Sequence, residues 1–405
     1  MLKFISMKFL YSLCTIFLIF LNGFIANAQS LDSLDLSFKY YQGKGFEYES
    51  RIFVTENETR KAILFVQLTN LSSSERDVAF STSAHIDLDE KVPDQINYQN
   101  NYVLKGGESL HLQLEQELTD DQNWVFLSMR INNLMYPDLF LVGERFIFNS
   151  PSAYPSLNGS DDKTNTYFKE GDELTFNTFH ESTDIDSILV YQLKYDFKPA
   201  YPPMFETFNQ NEGGPENLST TQIGIAQPFR LDSAGLYQYK DSEESMKAQG
   251  FRVEKSYFPK LQTVEGIIGP LRYISSNKEY NELDSLKSKK ALDQFFLNAF
   301  GSPGRAKPKI KLYFNRVAKA NYYFTNYKEG WKTDQGMLYI ILGSPTNIKK
   351  DGNYEIWSYK KGLNSKLSFT FVQVKDPYSG YHFVLIRKDE YQNDWFKAID
   401  AWRGR

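Results

Sequence analysis

Alternation of apolar and polar side chains organises the chain as far as about Lys240. In Ser109–Glu115 (SLHLQLE), Leu110, Leu112 and Leu114 alternate with polar neighbours, the period of two expected of a half-buried strand. Phe46–Thr55, Lys61–Asn70, Trp124–Ile131 and Leu139–Phe148 are further apolar, aromatic-rich runs of strand length. Turn-forming residues separate them at Glu56-Asn57-Glu58, Leu71 to Ser74 and Gly106-Gly107. Short strands at this spacing predict a β-sandwich-like domain over residues 29–150. The polar stretch Ser150 to Asp162 (SPSAYPSLNGSDD) is then expected to be a linker. A second β-sandwich-like domain follows over 151–250, with strands at Glu173–Phe179, Ser187–Phe197 and Phe229–Tyr239, the last turning at Asp232 to Gly235. Pro199 to Thr220, rich in Pro, Gly and Asn, is expected to be a long surface loop.

From about Asn277 the period changes to that of a helix. Leu292, Phe295, Phe296 and Ala299 fall on one face of Lys289–Phe300, with Ser288 placed to cap it. Gly301-Ser302-Pro303-Gly304 breaks the pattern. A second helix is predicted from near Pro308, a residue suited to a first turn, with Ile310, Tyr313, Phe314, Val317, Ala320 and Phe324 at helical spacing. The end of the chain predicts a four-stranded antiparallel meander: Met337–Leu342, Tyr354–Tyr359, Lys366–Lys375 and Tyr381–Arg387. Asn393 to Trp402 predicts a last helix, packed on that sheet through Trp395, Phe396, Ile399 and Trp402. The fold class is therefore mainly β, with an α+β C-terminal domain over 251–405.

Before Gln29 the pattern is different again. Lys3 and Lys8 precede the apolar run Phe9 to Phe20, and Ala26-Asn27-Ala28 follows it. Those three parts match a cleavable secretory signal over 1–28, and the apolar run is short for a membrane span of about 20 residues. The protein is thus expected outside the cytoplasm, in the periplasm or at the outer membrane. Cys14, the one cysteine, lies inside this segment, in a context that does not fit a lipoprotein signal. The remainder cannot form disulfides or use a thiol as nucleophile or metal ligand.

Charge divides the chain. Residues 29–150 hold 19 acidic and 10 basic side chains (net −9), 151–250 hold 16 and 7 (−9), and 251–405 hold 15 and 27 (+12). Blocks of opposite sign either dock on each other or attract separate partners. Between Ser285 and Lys328 there are ten Lys or Arg against one acid, Asp293. Lys287, Lys289, Lys290, Lys307, Lys309 and Lys311 therefore suggest a basic helical face, for which an anionic lipid or lipopolysaccharide is a candidate partner. Nucleic acid is not expected, since the protein leaves the compartment that holds it.

The densest local feature is Gly330-Trp331-Lys332-Thr333-Asp334-Gln335-Gly336. Its glycines permit unusual backbone or close approach. Thr333 and Asp334 can bond exposed backbone groups, and Trp331 offers a large ring. The run fits either a rigid turn plugging a junction or a platform for a peptide or other ligand. GWKTDQGMLYIILGSP, with NYEIWSY after it, resembles the GWxTD domain of Gram-negative envelope proteins. LRYI at Leu271–Ile274, ALDQFF at Ala291–Phe296 and RVAKAN at Arg316–Asn321 resemble it too. The resemblance covers roughly Gly269 to Tyr359 and implies no particular activity.

Catalytic patterns are weak. His85, His111, His180 and His382 are scattered, and no HExxH, GxSxG or phosphate-binding glycine loop occurs. Asp87/Asp89 and Asp184/Asp186 could pair as glycosidase acids but lie in polar surroundings. No catalytic residue, metal or cofactor is assigned. Two functions remain open. One is a non-enzymatic structural or interaction component of an envelope assembly, binding an envelope or outer-membrane protein. The other is a glycan-binding module using Trp331, Trp357, Trp395 and Trp402; a hydrolase comes third. The candidate binding residues are Gly330, Trp331, Thr333, Asp334, Trp357, Lys307, Lys309 and Lys311.

Overall fold

A computed structural model describes residues 29–41, 43–56, 59–146, 150–179, 185–205, 214–360 and 366–404. The expected signal segment 1–28 lies outside them, as do His180 and Asp184.

The first region is a pair of facing sheets. β1 (Phe46–Glu56), β2 (Arg60–Asn70) and β5 (Ser109–Glu117) form one, in the order β1-β2-β5. β3 (Arg76–His85), β4 (Gln99–Leu104), β6 (Trp124–Ile131) and β7 (Leu134–Leu141) form the other, in the order β4-β3-β6-β7. Phe46, Val54, Leu64, Val66, Val78, Phe80, Val125 and Leu127 are buried between them. The alternating leucines of β5 sit at a sheet edge, and all three are half-buried. The strand expected at Leu139–Phe148 starts earlier, at Leu134, and its last two residues lie outside the described ones.

The stretch expected to be a linker is part of the second region. Ala153–Leu157 forms β8, whose Ala153, Tyr154, Pro155 and Ser156 are buried. Its polar composition misled because Asn177 Nδ2 donates to Ser156 Oγ (2.8 Å) and Asp241 takes the Ser152 N–H and hydroxyl. β8 pairs with β10 (Glu173–Thr178), which also pairs with β13 (Phe229–Arg230). The opposing sheet has the order β12-β11-β14-β15-β9: Glu216–Gly224, Ser187–Lys194, Gly235–Lys240, Ala248–Glu254 and Tyr167–Lys169. β12 lies where part of a long loop was expected. β15 runs past Gly250 and is buried throughout.

The third region carries the helices and a four-stranded antiparallel sheet. The helices are α1 (Val264–Leu271), α2 (Asn277–Leu286), α3 (Lys289–Phe300), α4 (Pro303–Phe324), α5 (Asp334–Leu342) and α6 (Gln392–Arg403). The sheet order is β16-β17-β18-β19, at Asn347–Asp351, Tyr354–Lys360, Lys366–Asp376 and Gly380–Leu385. Met337–Leu342, expected as the first strand, is helix α5, and β16 takes the vacant place in the sheet. Met337 to Ile341 are all buried, and a run wetted on no side carries no period to tell strand from helix. The deciding signal is the Thr333 cap, whose side chain accepts from Gly336 N at 2.9 Å. α4 begins at Pro303 rather than near Pro308, using the earlier proline as its first residue. α6 packs on α3 and α5 instead of lying on the sheet, with Trp395 and Trp402 buried and Phe396 exposed.

The N-terminal segment ties the ends of the chain together. Leu31, Leu34 and Leu36 are buried in the same apolar cluster as α1–α6. Leu36 N donates to Ile348 O (2.9 Å), and Asp35 Oδ1 accepts from Ile348 N (3.0 Å). Those bonds satisfy backbone groups along the edge strand β16 that would otherwise face an open side.

Candidate functional site

The GWKTD turn forms where α4 ends and α5 begins. Thr325 Oγ1 accepts from Gly330 N (2.9 Å), and Asn321 Oδ1 accepts from Trp331 N (2.9 Å). Thr333 Oγ1 donates to Gly330 O (2.7 Å) while capping α5. A Cβ on Gly330 would sit 2.0 Å from Ala320 O, and one on Gly336 would sit 1.8 Å from Gly330 O. Neither position tolerates a side chain, because backbone occupies the space. The Trp331 ring packs on Gly269, where a Cβ would meet it at 2.9 Å, and Tyr273 OH donates to Trp331 O (2.9 Å). Asp334 accepts from Leu385 N (2.8 Å) and pairs with Arg387 Nη2 (2.6 Å), clamping the end of β19 onto α5. Each residue of the motif thus has a partner inside the fold.

Trp357 is equally enclosed. Its indole Nε1 donates to Glu355 Oε1 (2.7 Å), which also accepts from Gln335 Nε2 (2.8 Å). Lys350 closes the cluster at 2.8 Å from Glu355. Burial opposes ionisation of Glu355, yet Lys350 beside it holds the carboxyl below its ordinary value. The four tryptophans expected to form a sugar platform are 8% (Trp331), 0% (Trp357), 2% (Trp395) and 8% (Trp402) exposed. They cannot stack on a glycan from solution, because their rings are covered by the helices and by one another's neighbours.

The predicted lysines divide. Lys309 Nζ donates to Ala401 O (3.1 Å) and Trp402 O (2.6 Å), capping the carbonyl end of α6. Lys307 and Lys311, together with Lys289 and Lys290, are exposed and carry no ion pair among the described residues. Leu297 and Leu312 are exposed on the same two helices, α3 and α4, and Leu286 is exposed at the end of α2. The motif and the lysines are therefore separate: a buried hinge of the core, and a basic surface.

Part of the charge division is resolved internally. Lys255 pairs with Glu170 (2.6 Å), and Lys332 reaches Asp196 and Glu329 (3.2 Å each). Arg252 joins Glu254 (2.5 Å) to Glu329 (3.4 Å). Burial would raise Glu329, but Arg252 and Lys332 keep it below its ordinary value.

A cavity of about 330 Å3 lies where the three regions meet. Its walls come from β1, the 162–167 turn, β15, the end of α4 and the sheet β16–β19. His382 lines it and is pushed down to about 4, first by burial and then by Lys328, so its ring is neutral at physiological pH. Asp376 and Ser379 lie beside it, but Ser379 Oγ donates to Asp376 Oδ2 (2.5 Å) and His382 Nδ1 is 3.7 Å from that oxygen. The hydroxyl thus bonds to the carboxylate and not to the imidazole. Tyr40, Tyr323, Tyr381 and Gln373 also line the cavity. They come from four stretches with no local motif between them. Sequence reading missed them for that reason.

Residues 235–404 match the family model described as GWxTD domain. The match starts at β14 and so takes in the β14–β15 hairpin of the second region. No curated protein matches the chain. Among solved structures, the crystal structure of red sea bream transglutaminase is similar at 6% identity and a TM-score of 0.17, covering 51% of this chain and 32% of that one. The chain thus spans about a third of that protein's chain, in too loose a superposition to transfer fold or activity.

Proposed function

We propose that this protein, a carrier of a GWxTD domain over residues 235–404, is a non-enzymatic interaction component of a Gram-negative cell-envelope assembly. It works outside the cytoplasm and docks through the exposed lysines of α3 and α4. The observation that carries this reading is the contrast in how its polar groups are used. The motif residues are all bonded internally, whereas Lys289, Lys290, Lys307 and Lys311 are exposed without ion pairs among the described residues. Cations left unpaired on a rigid helical surface favour encounter with an acidic partner and make its binding salt-sensitive. The apolar run and Ala26-Asn27-Ala28 at the start of the chain support export.

The test is affinity purification from envelope fractions with the native protein and a Lys289→Glu/Lys307→Glu/Lys311→Glu variant. One defined acidic protein should be recovered with the native chain, be released at about 1 M salt, where the screening length is about 3 Å, and be lost with the variant. Equal recovery of that protein by the folded variant would refute the reading.

A further inference from the structure

The central cavity is lined by ionisable groups, and most already have a partner in place. Lys39 pairs with Asp138. Lys350 pairs with Glu355. Asp162 accepts from Thr164 N (2.9 Å), Thr164 Oγ1 (2.7 Å) and Asn165 Nδ2 (3.0 Å). Arg51 donates to Asn165 O (2.8 Å) and lies over the Phe53 ring (4.5 Å). Glu49, two residues before it on the same strand, takes the Tyr322 hydroxyl. An incoming ion would meet charge of both signs, Arg51 beside Glu49 and Asp162, and would lose its hydration shell, a cost of several kcal/mol.

The uncommitted groups are neutral. The hydroxyls of Tyr40, Tyr323 and Tyr381 make no hydrogen bond among the described residues, and burial raises all three above their ordinary value, so they stay protonated. Gln373 is 4% exposed, and its Nε2 has no partner among the described residues. A buried amide donor left unpaired is costly, at about 1–3 kcal/mol. The Tyr40 and Tyr323 rings lie 5.3 Å apart, and the Phe383 ring is also in the wall. The walls thus offer hydroxyls, one amide and aromatic faces.

We infer that this cavity is a binding site for a neutral, polyhydroxylated small molecule of mono- or disaccharide size, held by Tyr40, Tyr323, Tyr381 and Gln373. Its volume is at the small end of ligand sites, which run from about 300 to 1,000 Å3. Hydroxyl groups around a sugar ring match the tyrosine and amide donors, and the less polar ring faces match the aromatic walls. The site needs all three regions, so a bound sugar would also brace them against one another. It is independent of the basic face and does not rest on the proposed partner.

The experiment is calorimetric titration of the full mature chain with a panel of neutral mono- and disaccharides, alongside uronic acids and amino sugars of matching size. At least one neutral sugar should bind saturably, and its charged analogues about tenfold more weakly or not at all. Tyr40→Phe and Tyr381→Phe, which delete only a hydroxyl, should each weaken binding by about three- to tenfold, equivalent to one neutral hydrogen bond. Lys307→Ala should leave it unchanged. A crystal of the protein soaked in the bound sugar should show density touching Gln373 Nε2. Failure of every neutral sugar to saturate, tighter binding of a charged analogue, undiminished affinity in the Tyr→Phe variants, or only ordered water at Gln373 would each overturn the inference.

Discussion

The GWKTD turn and the exposed lysines of α3 and α4 come from one stretch of about fifty residues, yet they use polar groups in opposite ways. In the turn, Gly330, Trp331, Thr333 and Asp334 all bond to the fold itself, and two glycines give way to backbone at 2.0 and 1.8 Å. On the helices, Lys307 and Lys311 have no ionic partner among the described residues. The comparison teaches that a sequence signature can mark a joint in the architecture, while the cations left unpaired on the surface carry no signature at all.

The contrast can be broken most directly at the turn. Gly336→Ala should destabilise the protein by about 3 kcal/mol or more, the upper end of what overpacking costs, because a Cβ has only the Gly330 carbonyl to push against. A urea midpoint close to the native one would show that the turn is slack and the motif is free for another role. Asp334→Ala should cost about 3 kcal/mol by leaving the buried Arg387 unpaired. Chemical denaturation of Asp334→Ala, Arg387→Ala and the double variant should reveal a coupling of the two, and additivity would count against the clamp. Thr333→Val keeps the shape and removes the cap, so a loss of about 1–2 kcal/mol is expected.

A smaller effect sharpens the boundary between the two regions. Arg403 holds Glu279 of α2 down to about 2, its side chain bonding both carboxylate oxygens (2.6 and 2.8 Å). Since the folded value lies below the ordinary 4.5, the pair stabilises fully above that pH and fades as pH falls toward 2. Urea midpoints of the native chain should therefore fall between pH 4.5 and 2 more steeply than those of Arg403→Gln; parallel curves would remove the pair from the account. Smallest of all, Lys307→Glu and Lys311→Glu should shift stability by no more than about 0.5 kcal/mol. A larger loss on melting would mean those lysines belong to the fold, as Lys309 does.

Much of the β architecture was legible: Leu110, Leu112 and Leu114 keep the period of two of a half-buried strand, Phe46–Thr55, Lys61–Asn70 and Trp124–Ile131 are apolar, aromatic-rich runs of strand length, and all fall in observed strands. Helix α3 was legible from Ser288 and the Leu292/Phe295/Ala299 face. Legibility ended where an apolar run suits helix and strand equally. Met337–Ile341 carries no polar rhythm, so its helix depended on the Thr333 cap four residues upstream. Ala153–Leu157 failed in the reverse sense, since Ser152, Tyr154 and Ser156 look solvated until Asp241 and Asn177 are brought to them. Of the candidate site, the motif's residues were found but their use was not: the same Gly-Trp-Lys-Thr-Asp run would suit a platform if Asn321, Thr325 and Arg387 were elsewhere.

The sequence by itself determined the β-rich composition, the change to helix near Asn277, the charge division and the GWxTD resemblance, because periodicity, charge and motif are properties of neighbours along the chain. Only the tertiary structure decided that four tryptophans are covered, that Lys309 is occupied while Lys307 is not, and that Tyr40, Tyr323, Gln373 and Tyr381 meet around one cavity. Those outcomes depend on which distant groups arrive beside each residue, and hydrogen bonds and burial act across space without leaving a trace in local spacing.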